Sequence, residues 1–329
     1  DPGLLVGRVR GTNYNILLED ETKPLFNRAL QAKYPPGSTF KIINSLIGLQ
    51  TGAINESTRF SCNGKSSTPI KCTHSHGGSA NVTEGIRESC NPFMWNTFRS
   101  IVNQERKAVD GFKKWREYVE SFGIGTIISS DFAHALSGDL PSVELYDKWY
   151  GAGHWNALTV RSLSIGQGEL GITPLQMANV GAIVANRGFY YPPHLVREVK
   201  GDTVSASFKQ KKYTKIDPEH FEPIIEGMRE LIANKLTAVA GIPGVEMCGK
   251  TGTVQNNGAD HSVFTAFAPR INPKIAIFVY VENSGWGASY AAPMASLMVE
   301  KYLNDTIATS RKPVEQRMLD ANLLNLSQP

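Results

Sequence analysis

The sequence has little of what marks membrane, fibrous or nucleic-acid-binding proteins. Its longest apolar run, residues 275–281, is far shorter than the roughly 20 residues that cross a bilayer, and no secretory signal pattern begins the chain. The 34 basic and 30 acidic residues leave a net charge of only +4, which is too small to indicate a nucleic-acid partner. No internal repeat is visible. These absences favour a globular enzyme or binding domain.

Linker-like segments are also missing, so nothing divides the 329 residues into separate domains. The second half of the chain holds three strand-like runs and a helix, at 246–255, 262–269, 274–281 and 291–303. We therefore predict one α+β domain, 1–329, with an antiparallel sheet covered by helices. A mainly helical lobe is expected over roughly 42–180, and a sheet lobe over roughly 181–310 together with the N-terminal segment.

A candidate nucleophile follows a cluster of chain breakers. Tyr34-Pro35-Pro36-Gly37 does not continue a helix, and Phe40–Leu49 then has the pattern of a helix that is apolar nearly all round, which indicates burial. Ser38 and Lys41 lie three residues apart at its start, so their side chains share one face. Burial lowers the pKa of a lysine, and Lys41 can then accept the proton of the Ser38 hydroxyl. The alternative is a helix-capping serine beside a lysine that reaches solvent.

A second pair of polar residues lies in a predicted turn. Residues 81–88 begin with capping residues and predict a short helix, and the turn after it holds Ser89 and Asn91 ahead of Pro92. A hydroxyl and an amide one residue apart can relay a proton and hold a peptide carbonyl. The alternative is ordinary turn chemistry, in which serine and asparagine are common.

The third candidate segment is a strand that contains Lys250-Thr251-Gly252-Thr253. Glycines inside a strand indicate that another backbone approaches closely. Lys250 and Thr251 can bind a substrate carboxylate, and the backbone N–H groups of Thr253 and Ser38 can form an oxyanion hole. The alternative is an ordinary sheet strand with an exposed lysine.

Taken together, these three segments occur in an order known from penicillin-binding proteins and class A β-lactamases. The chain resembles the transpeptidase domain of class B penicillin-binding proteins, most closely the elongation type, penicillin-binding protein 2. The resemblance covers about 27–303 and includes further segments at 164–168, 173–178, 285–287 and 291–293. It implies the penicillin-binding transpeptidase or serine β-lactamase-like fold.

The resemblance also implies a reaction and partners. A D-Ala-D-Ala stem peptide or a β-lactam acylates Ser38, and an amine from a second stem peptide then releases the acyl group as a peptidoglycan cross-link. The implied partner is a membrane glycosyltransferase of the elongation machinery, and the implied location is the periplasmic face of the cytoplasmic membrane. The implied site comprises the nucleophile, the base Lys41, two assisting residues and the substrate-binding strand: Ser38, Lys41, Ser89, Asn91, Lys250, Thr251, Gly252 and Thr253.

Only 37 residues precede Ser38. Members of the family usually place two sheet strands and a helix before this serine, and a non-catalytic domain and a membrane anchor before those. Residues 1–18 do not have the pattern of two strands. We therefore expect an N-terminally truncated form that lacks the anchor and whose sheet has an unpaired edge.

Three of the four cysteines lie close together in the sequence with two histidines. Cys62, Cys72, His74, His76 and Cys90 fall within 29 residues, and this donor set favours a structural Cys3His zinc site. We expect the ligands to be the three cysteines and His76, which is preferred to His74 because glycines follow it. Some elongation-type relatives resemble this pattern, with a mixed zinc site near the second motif. A Cys62–Cys72 disulfide and free thiols are the alternatives.

Other functions fit part of the pattern. A septal-type transpeptidase is the nearest competitor, and a D,D-carboxypeptidase or serine β-lactamase would use the same nucleophile. Class D β-lactamases share Ser-Thr-Phe-Lys but have S-x-V at the second motif, where this chain has Ser89-Cys90-Asn91. A non-catalytic penicillin sensor is an alternative of a different class, and its usual sign is a fused transmembrane signalling segment.

Overall fold

Helices and a few short strands make up the chain over the residues that the computed structural model describes, which are 1–128, 131–132, 134–201 and 205–323. The α-helices are α1 (Arg10–Glu19), α2 (Arg28–Gln31), α3 (Lys41–Gln50), α4 (Val82–Arg87), α5 (Asn91–Val102), α6 (Ala108–Ser121), α7 (Val143–Tyr150), α8 (Pro174–Ala185), α9 (Glu222–Leu231), α10 (Thr237–Ala240), α11 (Ala291–Asn304) and α12 (Lys312–Leu319). The strands are β1 (Phe60–Ser61), β2 (Ser79–Ala80), β3 (Phe189–Tyr190), β4 (Lys212–Tyr213), β5 (Cys248–Val254), β6 (His261–Ala268) and β7 (Ile275–Val281). A 3₁₀ turn, Gly37–Phe40, leads into α3, and a π-helical turn, Ile232–Leu236, separates α9 from α10.

The largest sheet described is antiparallel and has the order β5-β6-β7. Its strands are consecutive in sequence and joined by short connections, as antiparallel pairing allows. In register, Lys250 of β5 pairs with Thr265 of β6, which pairs with Phe278 of β7. The three strand-like runs of the sequence are thereby confirmed, and so is the antiparallel sheet.

Helices cover both faces of this sheet. Successive side chains of a strand point to opposite faces, and Phe264 packs in a cluster with α11 while Phe267 packs in another with α8. Gly181 of α8 lies so close to β6 that an added Cβ would stand 3.2 Å from Thr265 Oγ1. The predicted α+β architecture, an antiparallel sheet covered by helices, is confirmed.

Helix α3 runs through the middle of the helical part of the chain. Nine of its ten residues are buried, as its all-round apolar pattern predicted. Asn44 is a polar exception that is fully hydrogen-bonded, since its amide donates to the carbonyls of Leu163 and Ser164 and its Oδ1 accepts from Trp115 Nε1. Because all its polar atoms are hydrogen-bonded, this buried side chain does not destabilise the core.

The buried apolar side chains form two clusters. The larger one runs from α3 to α9 and the smaller one joins the π-helical turn to the sheet and α11. Helix α9 contributes Ile224, Ile225 and Met228 to the larger cluster. The division into a helical lobe over 42–180 and a sheet lobe over 181–310 stays a prediction.

The segment before α2 contains a 3₁₀ turn, Pro2–Leu5, and α1, and neither has a buried residue. The sequence pattern of residues 1–18 does not predict two strands, and the structure has none there. The pattern did not predict helix α1. No helix in the part of the chain that the structure describes is both long and apolar enough to cross a membrane.

Candidate active site

Ser38 lies in the 3₁₀ turn that leads directly into α3, at the wall of a cavity of about 890 Å³. The breaker cluster before it sets the chain's entry: Gly37 has φ +56 and donates its N–H to the carbonyl of Gly166 at 2.8 Å. Thr39 Oγ1 donates to the carbonyl of Pro36 at 2.6 Å. The turn that carries Ser38 is therefore held by hydrogen bonds on both sides of the serine.

Gly166 explains one of the additional segments that resemble the family. A Cβ at this position would stand 2.1 Å from the carbonyl oxygen of Gly37, and φ is +74. Only glycine permits both the left-handed backbone and this close approach. The backbone of segment 164–168 thus packs against the turn that carries Ser38 and hydrogen-bonds to it. The sequence alone did not predict this role.

Lys41 is fully buried and makes three hydrogen bonds to the second motif. Its Nζ donates to the carbonyl of Ser89 at 2.7 Å, to Ser89 Oγ at 3.1 Å and to Asn91 Oδ1 at 2.5 Å. Burial lowers the pKa of Lys41 to about 8, although the nearby Cys90 and Cys72 act in the opposite direction. A lysine with this pKa is partly neutral at physiological pH and can accept a proton.

The turn between α4 and α5 presents Ser89 in an unusual backbone conformation. Ser89 has φ +54, which costs a residue with a Cβ of order 1 kcal/mol or more and persists only where neighbours hold it. The predicted cap of the preceding helix is present, because Asn81 and Glu84 form a reciprocal capping box. Pro92, expected to follow the turn, instead lies in the first turn of α5, which begins at Asn91 and where the missing N–H of a proline is harmless.

Lys250 approaches the same hydroxyl from the sheet. Its Nζ donates to Ser89 Oγ at 2.9 Å and to the carbonyl of Thr251 at 2.8 Å. Burial, together with the charges of Lys41 and Lys235, lowers the pKa of Lys250 well below its ordinary value. Lys250 is fully buried, so the alternative of an exposed strand lysine is wrong.

The other residues of the third motif face the cavity. Thr251, Gly252 and Thr253 line it beside Ser38. A Cβ added to Gly252 would stand 3.4 Å from the backbone nitrogen of Ser38, so the glycine lets β5 approach the nucleophile turn as its place in a strand predicted. The structure therefore brings together all eight residues that the sequence singled out for the active site.

The candidate metal ligands also converge. Cys62, Cys72 and Cys90 are buried, and their Sγ atoms and a ring nitrogen of His76 all lie within 4.8 Å of one another. His76 Nε2 is 3.7 Å from Cys72 Sγ. All four cysteines of the chain are free thiols. A hydrogen bond between the Cys72 and Cys90 sulfurs lowers the pKa of Cys72 and raises that of Cys90. The cluster adjoins the second motif, because Cys90 lies between Ser89 and Asn91.

His74 is not one of these four residues, although it also hydrogen-bonds to Cys72. It lines the cavity, and its ring meets that of Trp286 edge to face with centroids 6.1 Å apart. The loop of residues 69–74 forms one wall of the cavity, and the carbonyl of Lys71 accepts a hydrogen bond from Asn91 Nδ2 at 2.9 Å. The sequence did not predict this wall, and it did not single out the buried acid Glu88 beside Ser89. Neither lies in a recognisable sequence pattern.

A serine at the start of a buried helix, beside an antiparallel sheet and two buried lysines, defines the penicillin-recognising class of serine proteins. The sequence profile of the penicillin binding protein transpeptidase domain matches residues 8–300. The chain belongs to this family, and the resemblance drawn from its motifs is confirmed.

Similar proteins agree with this assignment. The chain is 30% identical over 331 residues to the peptidoglycan D,D-transpeptidase MrdA of Acinetobacter baumannii, covering 92% of the chain and 47% of that relative. It is 28% identical over 333 residues to the peptidoglycan D,D-transpeptidase PbpA of Mycolicibacterium smegmatis, covering 93% and 63%. The crystal structure of Pseudomonas aeruginosa PBP2 in complex with WCK 5153 superimposes with a TM-score of 0.78 at 27% identity, covering 94% of this chain and 70% of that one. The chain thus spans about half to two thirds of the length of these curated relatives.

Proposed function

We propose that this chain is the catalytic domain of a peptidoglycan D,D-transpeptidase of cell-wall elongation. The observation that carries the proposal is the Ser89 hydroxyl, which accepts hydrogen bonds from Lys41 on α3 and from Lys250 on β5. It lies at the wall of the cavity that Ser38 also lines. Two buried lysines with lowered pKa values meet at this one hydroxyl, and groups perturbed in this way cluster at functional sites. The names of the curated relatives support the same reaction.

In the first half-reaction, neutral Lys41 accepts the proton of Ser38 as Oγ bonds to the carbonyl carbon of the penultimate D-Ala. The backbone N–H groups of Ser38 and Thr253 donate to the oxyanion of the tetrahedral intermediate. The bond to the terminal D-Ala nitrogen then breaks, and the leaving amine receives its proton through Ser89, which Lys41 contacts. The product is an ester on Ser38.

The second half-reaction reverses the proton movements. An amine of a second stem peptide attacks the ester carbonyl and loses a proton through Ser89 to Lys41. The bond between the carbonyl carbon and Ser38 Oγ breaks, and Oγ regains a proton from Lys41. The new amide is the cross-link. Thr251 and Thr253 bind the substrate from the cavity wall, while Lys250 supplies positive charge from behind them.

The elongation role, the partner and the location extend the same proposal. The similarity to MrdA and to PBP2 supports the elongation type over the septal type. A membrane glycosyltransferase that makes the glycan strands would supply the substrate for cross-linking. The location that brings the two together is the periplasmic face of the cytoplasmic membrane. Deleting the gene and scoring cell shape distinguishes the two types, since loss of elongation gives round cells and loss of septation gives filaments.

The reaction is tested with a thioester analogue of the stem peptide as acyl donor and a D-amino acid as acceptor. We expect the chain to form the aminolysis product. The ratio of aminolysis product to hydrolysis product should rise with the concentration of the acceptor. Hydrolysis without aminolysis would instead indicate a carboxypeptidase, and rapid turnover of a chromogenic cephalosporin would indicate a β-lactamase. A stable penicillin adduct without any transfer would favour the sensor.

Lys250→Ala is predicted to weaken acylation by carboxylate-bearing β-lactams selectively. A charge-assisted hydrogen bond or close ion pair contributes about 1.5–3 kcal/mol, which corresponds to a loss of about 10- to 100-fold in the second-order acylation rate. A methyl ester of the same β-lactam lacks the carboxylate and is the matched probe. Equal losses for the acid and the ester would contradict the anchor role.

We further propose that Cys62, Cys72, His76 and Cys90 hold a zinc ion. Their donor atoms lie within 4.8 Å of one another, and a small inward movement brings them to the edge of about 3.8 Å of a tetrahedron with Zn–S bonds of about 2.3 Å. Three sulfurs and one imidazole are a donor set that zinc prefers, and burial of the cysteines suits a structural site. Bound zinc would compensate the thiolate charges and tie residues 62–76 to the turn that carries Ser89.

Removing the metal with a chelator is predicted to lower the thermal midpoint and to slow penicillin acylation while Ser38 stays intact. Structural zinc sites contribute several kcal/mol to folding because the unfolded chain lacks the preformed site. Elemental analysis of the purified chain should give one zinc per molecule, and Cys248→Ser, which removes a buried thiol outside the cluster, is the matched control. Well under one zinc, together with a Cys62–Cys72 disulfide in a peptide map, would replace the zinc site with the disulfide.

A further inference from the structure

A partly buried ion pair lies directly beside the second motif. Glu88, the residue before Ser89, has a side chain that is only 10% exposed, and it contacts Lys235 Nζ and Arg87 Nε. Arg87 also pairs with Glu230 at 2.7 Å. Two acids and two bases thus join the end of α4 to the end of α9 and the π-helical turn. None of these four residues touches the cavity, so the pair is not a binding group for the substrate.

Lys235 lies in the π-helical turn, and Glu230 lies in the last turn of α9 before it. Glu230 and Lys235 are five residues apart, and on an α-helix such residues point about 140° away from each other. The i→i+5 geometry of a π-helix brings residues five apart to nearly the same face. Thr237 stabilises the wide turn, because its hydroxyl donates to the carbonyls of Ile232 and Ala233. The chain therefore departs from α-helical geometry at the place where Lys235 reaches Glu88.

The two helices that carry the pair are held close together. Gly227 of α9 packs so near to α4 that an added Cβ would stand 2.6 Å from the carbonyl oxygen of Thr83. The two helices therefore pack with their backbones in direct contact. The turn that follows α4 is strained, since Ser89 has φ +54, and a strained residue keeps its conformation only while its surroundings impose it.

We propose that the Glu88–Lys235 ion pair is a positioning element for the second motif, which holds the Ser89 turn so that its hydroxyl stays between Lys41 and Lys250. Lys41 holds the turn at the Ser89 carbonyl from one side. Glu88 holds it one residue earlier from the other side, through Lys235. The inference rests on the proposed function, because it assigns a part in the proton relay at Ser38.

The test measures acylation by a fluorescent penicillin, resolved into the dissociation constant and the maximal acylation rate, for Lys235→Met and Glu88→Gln. A shift of about 1 Å at a catalytic group lowers rates by about 10²-fold, so we expect the maximal rate to fall about 10- to 100-fold. The dissociation constant should stay within about threefold, because neither substituted residue lines the cavity. At the end of the reaction, each chain should still carry one penicillin adduct. A loss of folded protein would lower this number.

Matched variants separate positioning from general stability. Lys235→Arg keeps the charge and should restore the rate to nearly that of the wild type. Arg59→Met removes another ion pair on α4, with Glu84 at 2.6 Å, at the end away from Ser89, and should leave the rate unchanged. The proposal is overturned if the Met and Gln variants acylate within twofold of the wild type, if Lys235→Arg is as slow as Lys235→Met, or if Arg59→Met is equally slow.

Hydrogen exchange gives a readout that does not depend on the reaction. The Ser89 and Cys90 N–H groups donate to the carbonyls of Ile86 and Gly85, and we expect both to exchange faster in Lys235→Met but not in Arg59→Met. If the wild type is not acylated at all, the proposed function fails while the exchange data still decide the positioning role. Should Glu88→Gln fail to fold, Lys235→Met carries the test, because the Lys235 side chain is 38% exposed. Unchanged exchange in Lys235→Met overturns the proposal.

Discussion

Ser38→Ala is expected to abolish the covalent penicilloyl adduct and leave the thermal midpoint nearly unchanged. The hydroxyl is the atom that bonds to the carbonyl carbon, so its loss removes the ester altogether instead of slowing its formation. The turn is held by the Gly37 N–H, the Thr39 hydroxyl and the Ser38 carbonyl, which accepts from the Lys41 N–H, and Ser38→Ala keeps all three. Intact-protein mass spectrometry after incubation with penicillin measures the adduct directly.

The control for this variant is Ser57→Ala, which removes an exposed hydroxyl that does not line the cavity. It should acylate like the wild type. Peptide mapping of the wild-type adduct locates the modified serine. An adduct that persists on Ser38→Ala, or that maps to Ser89, would show that another hydroxyl is the nucleophile.

Lys41→Met is expected to lower the acylation rate by about 10²- to 10⁴-fold, the usual contribution of a general base. Methionine nearly fills the buried volume of the lysine but cannot take the serine proton. In the wild type the pKa of Lys41 is about 8, and the neutral form is the active one. The rate should therefore rise with pH, by about tenfold from pH 7 to its plateau above pH 9, and fall as Lys41 becomes protonated at lower pH.

Two measurements check this assignment. The rising limb of the pH profile should disappear in Lys41→Met, because the titrating group is gone. Lys215→Met, which removes a lysine that pairs with Glu117 on the surface, should keep both the rate and the profile. A loss of less than tenfold in Lys41→Met, with the rising limb intact, would assign the base to a different residue.

Local patterns were sufficient to predict most of what lies within one element. The all-round apolar helix after Ser38, the capping box before Ser89 and the three strands around Lys250 all depend on residues within a few positions of one another. The 3.6-residue and two-residue periodicities that encode them are properties of the chain itself. The π-helical turn, Ile232–Leu236, was not predicted from the sequence.

The sequence by itself predicted the nucleophile and its neighbouring lysine, and it determined the family and the class of fold, because each rests on residue types at short, characteristic spacings. Only the tertiary structure decided that Lys41 and Lys250, 209 positions apart in sequence, share the Ser89 hydroxyl. It also placed His76 and not His74 among the cysteines, and it paired Glu88 with Lys235. The physical reason is the same in each case: contacts between distant segments, buried charge and a strained backbone arise from the packing of whole elements, which no local pattern of residues encodes.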